Sequence, residues 1–268
     1  YLHERQTNSR YFDLLSEARI EFLDLKEKGD LDESQILDRE RNLDLLDQDY
    51  LRQSKLDAQL VAEITSAQSE GYAVWKEARK NNDFATFAPI LKKLIYLRKR
   101  QANQLAEDRT CWETLAQPYE PDLTLERLQE LFNPLRQRLP DLIEKFISVK
   151  NSRDLKWDID SDKQNDICQI LLNLWGRDQN RTSVASSPHP FSITLGPNDY
   201  RITTRVVPGQ PLSSLLATAH EWGHSLYEQG LPSQSHQWFA WPLGQATSMA
   251  VHESQSLFWE NRVARSAA

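Results

Sequence analysis

The sequence predicts a mainly α-helical protein with one small β-hairpin. Three observations lead there. Eight glycines against 26% charged residues, over 268 positions, is the balance of a helical chain. Apolar residues recur at helical spacing through most of the first two thirds of the chain. Only between 191 and 206 does the pattern change to runs rich in Ile, Thr and Val.

Residues 4–28 read as one helix, with Tyr11, Leu14, Leu15, Ala18, Phe22 and Leu25 on a stripe that Gly29-Asp30 ends. A second helical pattern runs over 33–69 and continues over 71–80; its later stripe is Leu56, Leu60, Ile64 and Ala67. Charges alternating in sign mark its solvated face. Asn81-Asn82-Asp83 breaks it, and 84–105 is the next helix, with Pro89 near its start. Arg98-Lys99-Arg100 is the one dense basic cluster. Without aromatic or glycine patterning around it, it reads as a solvated helix face. Pro118 and Pro121 mark a loop. Residues 124–132 and 140–149 read as two helices broken around Pro134 and Pro140. Residues 151–160 are polar and irregular. Residues 162–175 are helical, with Ile167, Ile170, Leu171 and Leu174 expected inside, and 177–188 is a polar loop. The hairpin pairs 191–195 with 200–206 around Gly196-Pro197-Asn198-Asp199. A helix follows Gly209 and Pro211 and ends at Gly230. A loop over 231–241 leads to a last helix over 243–264. Two regions are expected in one continuous fold: an N-terminal helical region over 1–150 and a second region over 151–268.

Composition removes several classes of function. A formal charge of −7 disfavours a general nucleic-acid or anionic-membrane role. No apolar run is long enough for a transmembrane helix, and the first residues lack the apolar core of a signal peptide. Cys111 and Cys168 are the only cysteines, which fits a reduced, cytoplasmic setting with both thiols as packing residues. A chain that starts at Tyr1 and holds one methionine, Met249, is expected to be a piece of something longer.

Chemistry concentrates in His220-Glu221-Trp222-Gly223-His224, which matches the zinc-peptidase pattern H-E-x-x-H. Positions four apart share a helix face, so His220 and His224 can hold one metal ion together. Glu221 sits about 100° further round, where it can take a proton from a water on the metal and pass it to the leaving amine. The bland alternative is a helix with two satisfied histidines. The surroundings weigh against it: Leu212, Leu215, Leu216, Ala219, Gly223 and Leu226 form an apolar stripe, with the histidines at its edge. Five of the six histidines lie between 189 and 252.

A catalytic zinc usually takes three protein ligands and a water. One common pattern puts a third histidine six residues on, after a glycine; here Tyr227 and Gly230 occupy those places, so it fails. The other, the gluzincin arrangement, takes a glutamate from a second helix. Glu253 in His252-Glu253-Ser254-Gln255 is the best candidate, with His252 and Glu228 as rivals. Glu228 is too close in sequence to His224 to close the coordination sphere well.

At this point the chain resembles a known family. His189-Pro190-Phe191, Asp199-Tyr200-Arg201-Ile202-Thr203, His220 to His224 and His252-Glu253-Ser254-Gln255 come in the order found in the carboxypeptidase Taq metallocarboxypeptidases. Ser225 to Leu231 and Trp259-Glu260-Asn261 strengthen the match. The resemblance implies a helical gluzincin-type peptidase that removes single C-terminal amino acids. It implies zinc, with cobalt as an alternative, peptides as substrates, and a homodimer when full length. It assigns His220, His224 and Glu253 to the metal and Glu221 to proton transfer. His189, Asp199, Arg201, Thr203 and His252 would contact substrate or brace the site, with Arg201 pairing either Asp199 or another carboxylate. The chain also departs from the family: Leu257 stands where an arginine is common, and the chain is expected to be truncated at its C-terminus. A chain cut there is expected to lack the cation that anchors a substrate's carboxylate and to expose a large apolar surface. Two further readings therefore stand beside the first. One is a zinc oligopeptidase that cuts internally; the other is a non-enzymatic helical fragment that keeps the motif.

Overall fold

The computed structural model describes residues 1–105, 108–148 and 159–266. It divides into two compact units, one of residues 1–118 with 240–243, the other of residues 119–239 with 244–268.

The first unit is helical throughout. Residues 4–28 form two helices rather than one, α1 (Leu2–Thr7) and α2 (Ser9–Lys28). The break is at Asn8, whose side chain accepts from Tyr11 N at 2.8 Å and caps the second helix. The pattern over 33–69 is likewise interrupted. α3 (Glu33–Ser54) ends before Asp57, which caps α4 (Ala58–Lys80). α4 and α5 (Phe84–Leu105) pack as a hairpin through Leu60, Ile64, Ala67, Ile90 and Leu97. The fifth helix has the bounds expected of it. A short α6 (Cys111–Ala116) that periodicity did not show follows, opened by a Thr110–Glu113 capping box. Cys111 is exposed at its start rather than a packing residue; Cys168, in the other unit, is buried.

The second unit carries the sheet. Residues 125–148 form a single helix, α7 (Leu125–Ser148), through both prolines. Every residue from 129 to 148 is exposed, so the carbonyls that Pro134 and Pro140 leave without a helix partner face water. Apolar residues along it, among them Phe132, Leu139, Phe146 and Ile147, are exposed too. Most of 151–160 lies outside the described residues. α8 (Ser161–Leu174) buries Gln164, Cys168 and Leu172, not the expected Ile167, Ile170 and Leu174, which are exposed. The buried stripe is turned because Gln164 bonds inward: its amide donates to Ile159 O and its oxygen accepts from Ser214 Oγ at 2.9 Å.

The segment expected as a loop over 177–188 contains β1 (Thr182–Ser186), which pairs in parallel with β3 (Asp199–Thr204). The expected hairpin forms from β2 (Ser192–Gly196) and β3, so a three-stranded sheet of order β1-β3-β2 replaces a lone hairpin. Leu172, Ile202 and Trp222 form the core between α8, β3 and α9 (Pro211–Gly230). The buried side of α9 is more polar than the leucine stripe suggested. Leu212 is exposed, whereas Ser214, Thr218, Glu221, Trp222 and Ser225 are buried. Thr218 Oγ1 donates to Ser214 O at 2.8 Å and lies 2.9 Å from the Thr204 hydroxyl, which satisfies the polar seam between helix and sheet. The last helix starts later than expected, as α10 (Met249–Phe258), and continues into a π-helical turn over Trp259–Val263.

Candidate metal centre

α9 holds two histidines on one face. His220 and His224, one turn apart, bring their ring centroids to 4.8 Å. Their neighbours Ala219 and Trp222 are buried in the unit, so the histidines stand at the margin of a fixed surface.

The third side chain comes from α10, and a glycine lets that helix approach. A Cβ at Gly223 would lie 2.6 Å from Gln255 O and 2.7 Å from Ser256 Cα, so only glycine tolerates this crossing. The start of α10 is pinned as well. Ser248 caps it, and Glu120 accepts from Ser248 Oγ at 2.8 Å and from Ala250 N at 2.9 Å, placing negative charge where the helix dipole favours it. So held, α10 brings Glu253 Oε2 to 3.4 Å from His224 Nε2 and 3.8 Å from His220 Nε2.

These residues fit a divalent metal. One ligand atom from each of His220, His224 and Glu253 lies within 4.8 Å of the other two. Ligands about 2.1 Å from a tetrahedral ion stand roughly 3.4 Å apart, so the trio needs little closure. The donor set of two imidazoles and a carboxylate suits zinc or cobalt(II). The outer nitrogens are occupied: His220 Nδ1 is 3.1 Å from Glu260 Oε2, and His224 Nδ1 is 2.6 Å from His252 Nδ1. Burial above all, then His252 and His220, pushes the His224 pKa down to about 4, so the ring is neutral, as a ligand must be.

Glu221 is buried next to the trio. Burial is the main cause of a pKa raised to about 7; His220, His189 and a hydrogen bond with Ser192 pull it down, and Glu253 pushes it up. Its Oε2 is buried without a protein hydrogen-bond partner among the described residues. A dication held by the trio would lower this pKa by direct attraction. Beside the site is a cavity of about 200 Å³ lined by Ser192, Ile193, Thr194, Ser225, Glu228 and His252.

The other expected residues divide. His189 is exposed, its Nδ1 2.7 Å from Pro190 O, and its charge reaches Glu221. Arg201 grips Asp199 with two bonds of 2.8 Å on the exposed face of β3. Thr203 is buried and binds the backbone, its Oγ1 accepting from Phe191 N at 2.9 Å. His252 and Glu228, rivals for the third ligand, bind each other at 2.8 Å and lie outside the converging trio. Sequence reasoning gave no role to Glu260 or Glu120. Glu260 was detectable in principle, because it stands seven residues past Glu253 and two turns along the same helical face. Glu120 lies far from α10 in sequence, and no local pattern marks it.

The model of the family "Carboxypeptidase Taq (M32) metallopeptidase" matches residues 1–268. Thermostable carboxypeptidase 1 of Thermus thermophilus is 32% identical over 277 residues, which cover 99% of this chain and 52% of the relative. The crystal structure of BsuCP superposes with a TM-score of 0.86 at 27% identity, over 98% of this chain and 51% of that one. Metallocarboxypeptidase 1 of Trypanosoma cruzi gives a TM-score of 0.78 at 32% identity, over 98% and 52%. The chain thus spans about half the length of these relatives.

Proposed function

Because the chain belongs to the carboxypeptidase Taq (M32) family of metallopeptidases, we propose that it hydrolyses peptides at their C-termini, releasing one amino acid at a time. The observation that carries this reading is the convergence of His220, His224 and Glu253 beside a buried Glu221. The two histidines and Glu253 would hold the metal, zinc or cobalt(II), each through one atom. When bound, a divalent metal there supplies Lewis acidity toward the peptide carbonyl and makes water acidic enough to deprotonate near neutral pH.

The chain's own residues do the rest. Glu221 accepts the proton of the attacking water at the carboxylate oxygen that has no protein partner, and delivers it to the leaving amine. Ser192 holds the Glu221 carboxylate in place. Burial keeps that carboxylate out of bulk water and so keeps its basicity high. Preference for a chain end needs a cation that recognises a free carboxylate. Arg201 is engaged by Asp199. Arg205, exposed just beyond β3, is the better candidate among the described residues near the sheet.

Purified, metal-loaded protein tested on short peptides with free or amidated C-termini decides the matter. The reading expects release of single amino acids from free ends only, abolished by a chelator. Equal cleavage of amidated peptides would replace it with an internal oligopeptidase. Absence of release with one metal tightly bound would leave a metal-binding chain that does not turn over.

A further inference from the structure

The two histidines of the trio are each backed by a separate chain of hydrogen bonds, and both chains reach a carboxylate outside the trio. His220 Nδ1 lies 3.1 Å from Glu260 Oε2, and Glu260 Oε1 accepts from Arg265 at 2.9 Å. His224 Nδ1 lies 2.6 Å from His252 Nδ1, and His252 Nε2 lies 2.8 Å from Glu228 Oε1. For neutral rings beside ionised carboxylates, the partners set the direction of every bond. An ionised carboxylate only accepts, so Glu260 requires the proton of His220 on Nδ1. Glu228 likewise requires the proton of His252 on Nε2, which leaves His252 Nδ1 with a lone pair. That lone pair accepts from His224 Nδ1. By two independent routes, both histidines are left with a bare Nε2, and those are the atoms that stand 3.8 and 3.4 Å from Glu253 Oε2.

We propose that Glu260 and the Glu228–His252 pair are positioning residues that set the tautomer and ring orientation of His220 and His224, so that the site is ready for a metal before one arrives. This rests on the reading of His220, His224 and Glu253 as a metal site. The asymmetry has a consequence of its own. Glu260 is tied to Arg265, whereas Glu228 and His252 also line the cavity beside the site. The support of His224, and not that of His220, is therefore open to whatever enters that cavity.

Nitrogen-15 NMR of the imidazole rings tests the proposal in metal-free protein. It expects the Nδ1–H form for His220 and His224 and the Nε2–H form for His252. Finding His224 in the Nε2–H form would overturn it. Zinc affinity, measured by competition with a chelator, gives a second reading. Glu260→Ala and Glu228→Ala should each weaken binding roughly 10–100-fold. Glu228→Gln, whose amide oxygen can still accept from His252, should recover most of the loss. Thermal unfolding of the metal-free variants separates positioning from a purely structural role. Lowered midpoints with unchanged zinc affinity would sink the proposal. If wild-type protein bound no zinc, the metal reading would fail, while the tautomers would still test the hydrogen-bond chains.

Discussion

Glu221 is the residue whose placement costs the fold most visibly. It is 6% exposed, lacks a protein partner at Oε2, and has a pKa raised from 4.5 to about 7, chiefly by burial. The sign of the effect follows from linkage. Below about pH 4.5 the group is protonated whether the chain is folded or not, and its burial carries no ionisation penalty. As pH rises toward 7 the unfolded chain ionises first, so stability falls until the folded carboxyl ionises as well, and is then level. The loss between pH 5 and 8 amounts to about 2–3 kcal/mol. Denaturation of metal-free protein should show wild type losing that much more stability between pH 5 and 8 than Glu221→Gln. Parallel curves for the two would show that the carboxyl is not desolvated. The residue's position was legible because H-E-x-x-H fixes it on a helix. Its burial was not, since that depends on β3 packing against α9.

At the scale of elements, the crossing of α9 and α10 decides whether a site exists. In sequence Gly223 reads as one member of an apolar stripe; its actual part is to let two backbones meet. Gly223→Ala must push α10 away, because the obstructing atoms are backbone and cannot rotate aside. About 1–3 kcal/mol of stability should go with it, along with much of the zinc affinity as Glu253 withdraws. Chemical denaturation and chelator competition on one variant read both effects, and an unchanged affinity would mean that α10 is not held by this contact. Elements with strong local signals were legible. The helix over 84–105 has uninterrupted period, and the hairpin has a Gly-Pro-Asn-Asp turn between β-branched runs. Elements defined by distant partners were not. β1 reads Thr-Ser-Val-Ala-Ser and has no alternation of its own; its pairing with β3 makes it a strand. Pro134 and Pro140 read in sequence as breaks, yet α7 runs through both, with every residue from 129 to 148 exposed.

For the whole molecule, family membership covers the full chain while the relatives are about twice as long. The described residues hold the complete trio, its outer support and Glu221 within one compact unit. No helix among them is long and apolar enough to cross a membrane. The family and the converging trio were readable in sequence because they rest on ordered short motifs. Burial on α8 and α9 was not, because polar residues such as Gln164 and Thr218 take inward positions by bonding one another's elements. Under the proposed function, a metal held between α9 and α10 works through Glu221 to release C-terminal residues. The most direct measurement compares wild type with Glu221→Gln, each loaded with one equivalent of metal, on a single free-ended peptide. The account predicts equal metal content and release slowed roughly 10²–10⁴-fold in the variant. A variant that keeps its metal and releases amino acids within about a factor of ten of wild type, well short of the range for a lost general base, would contradict it.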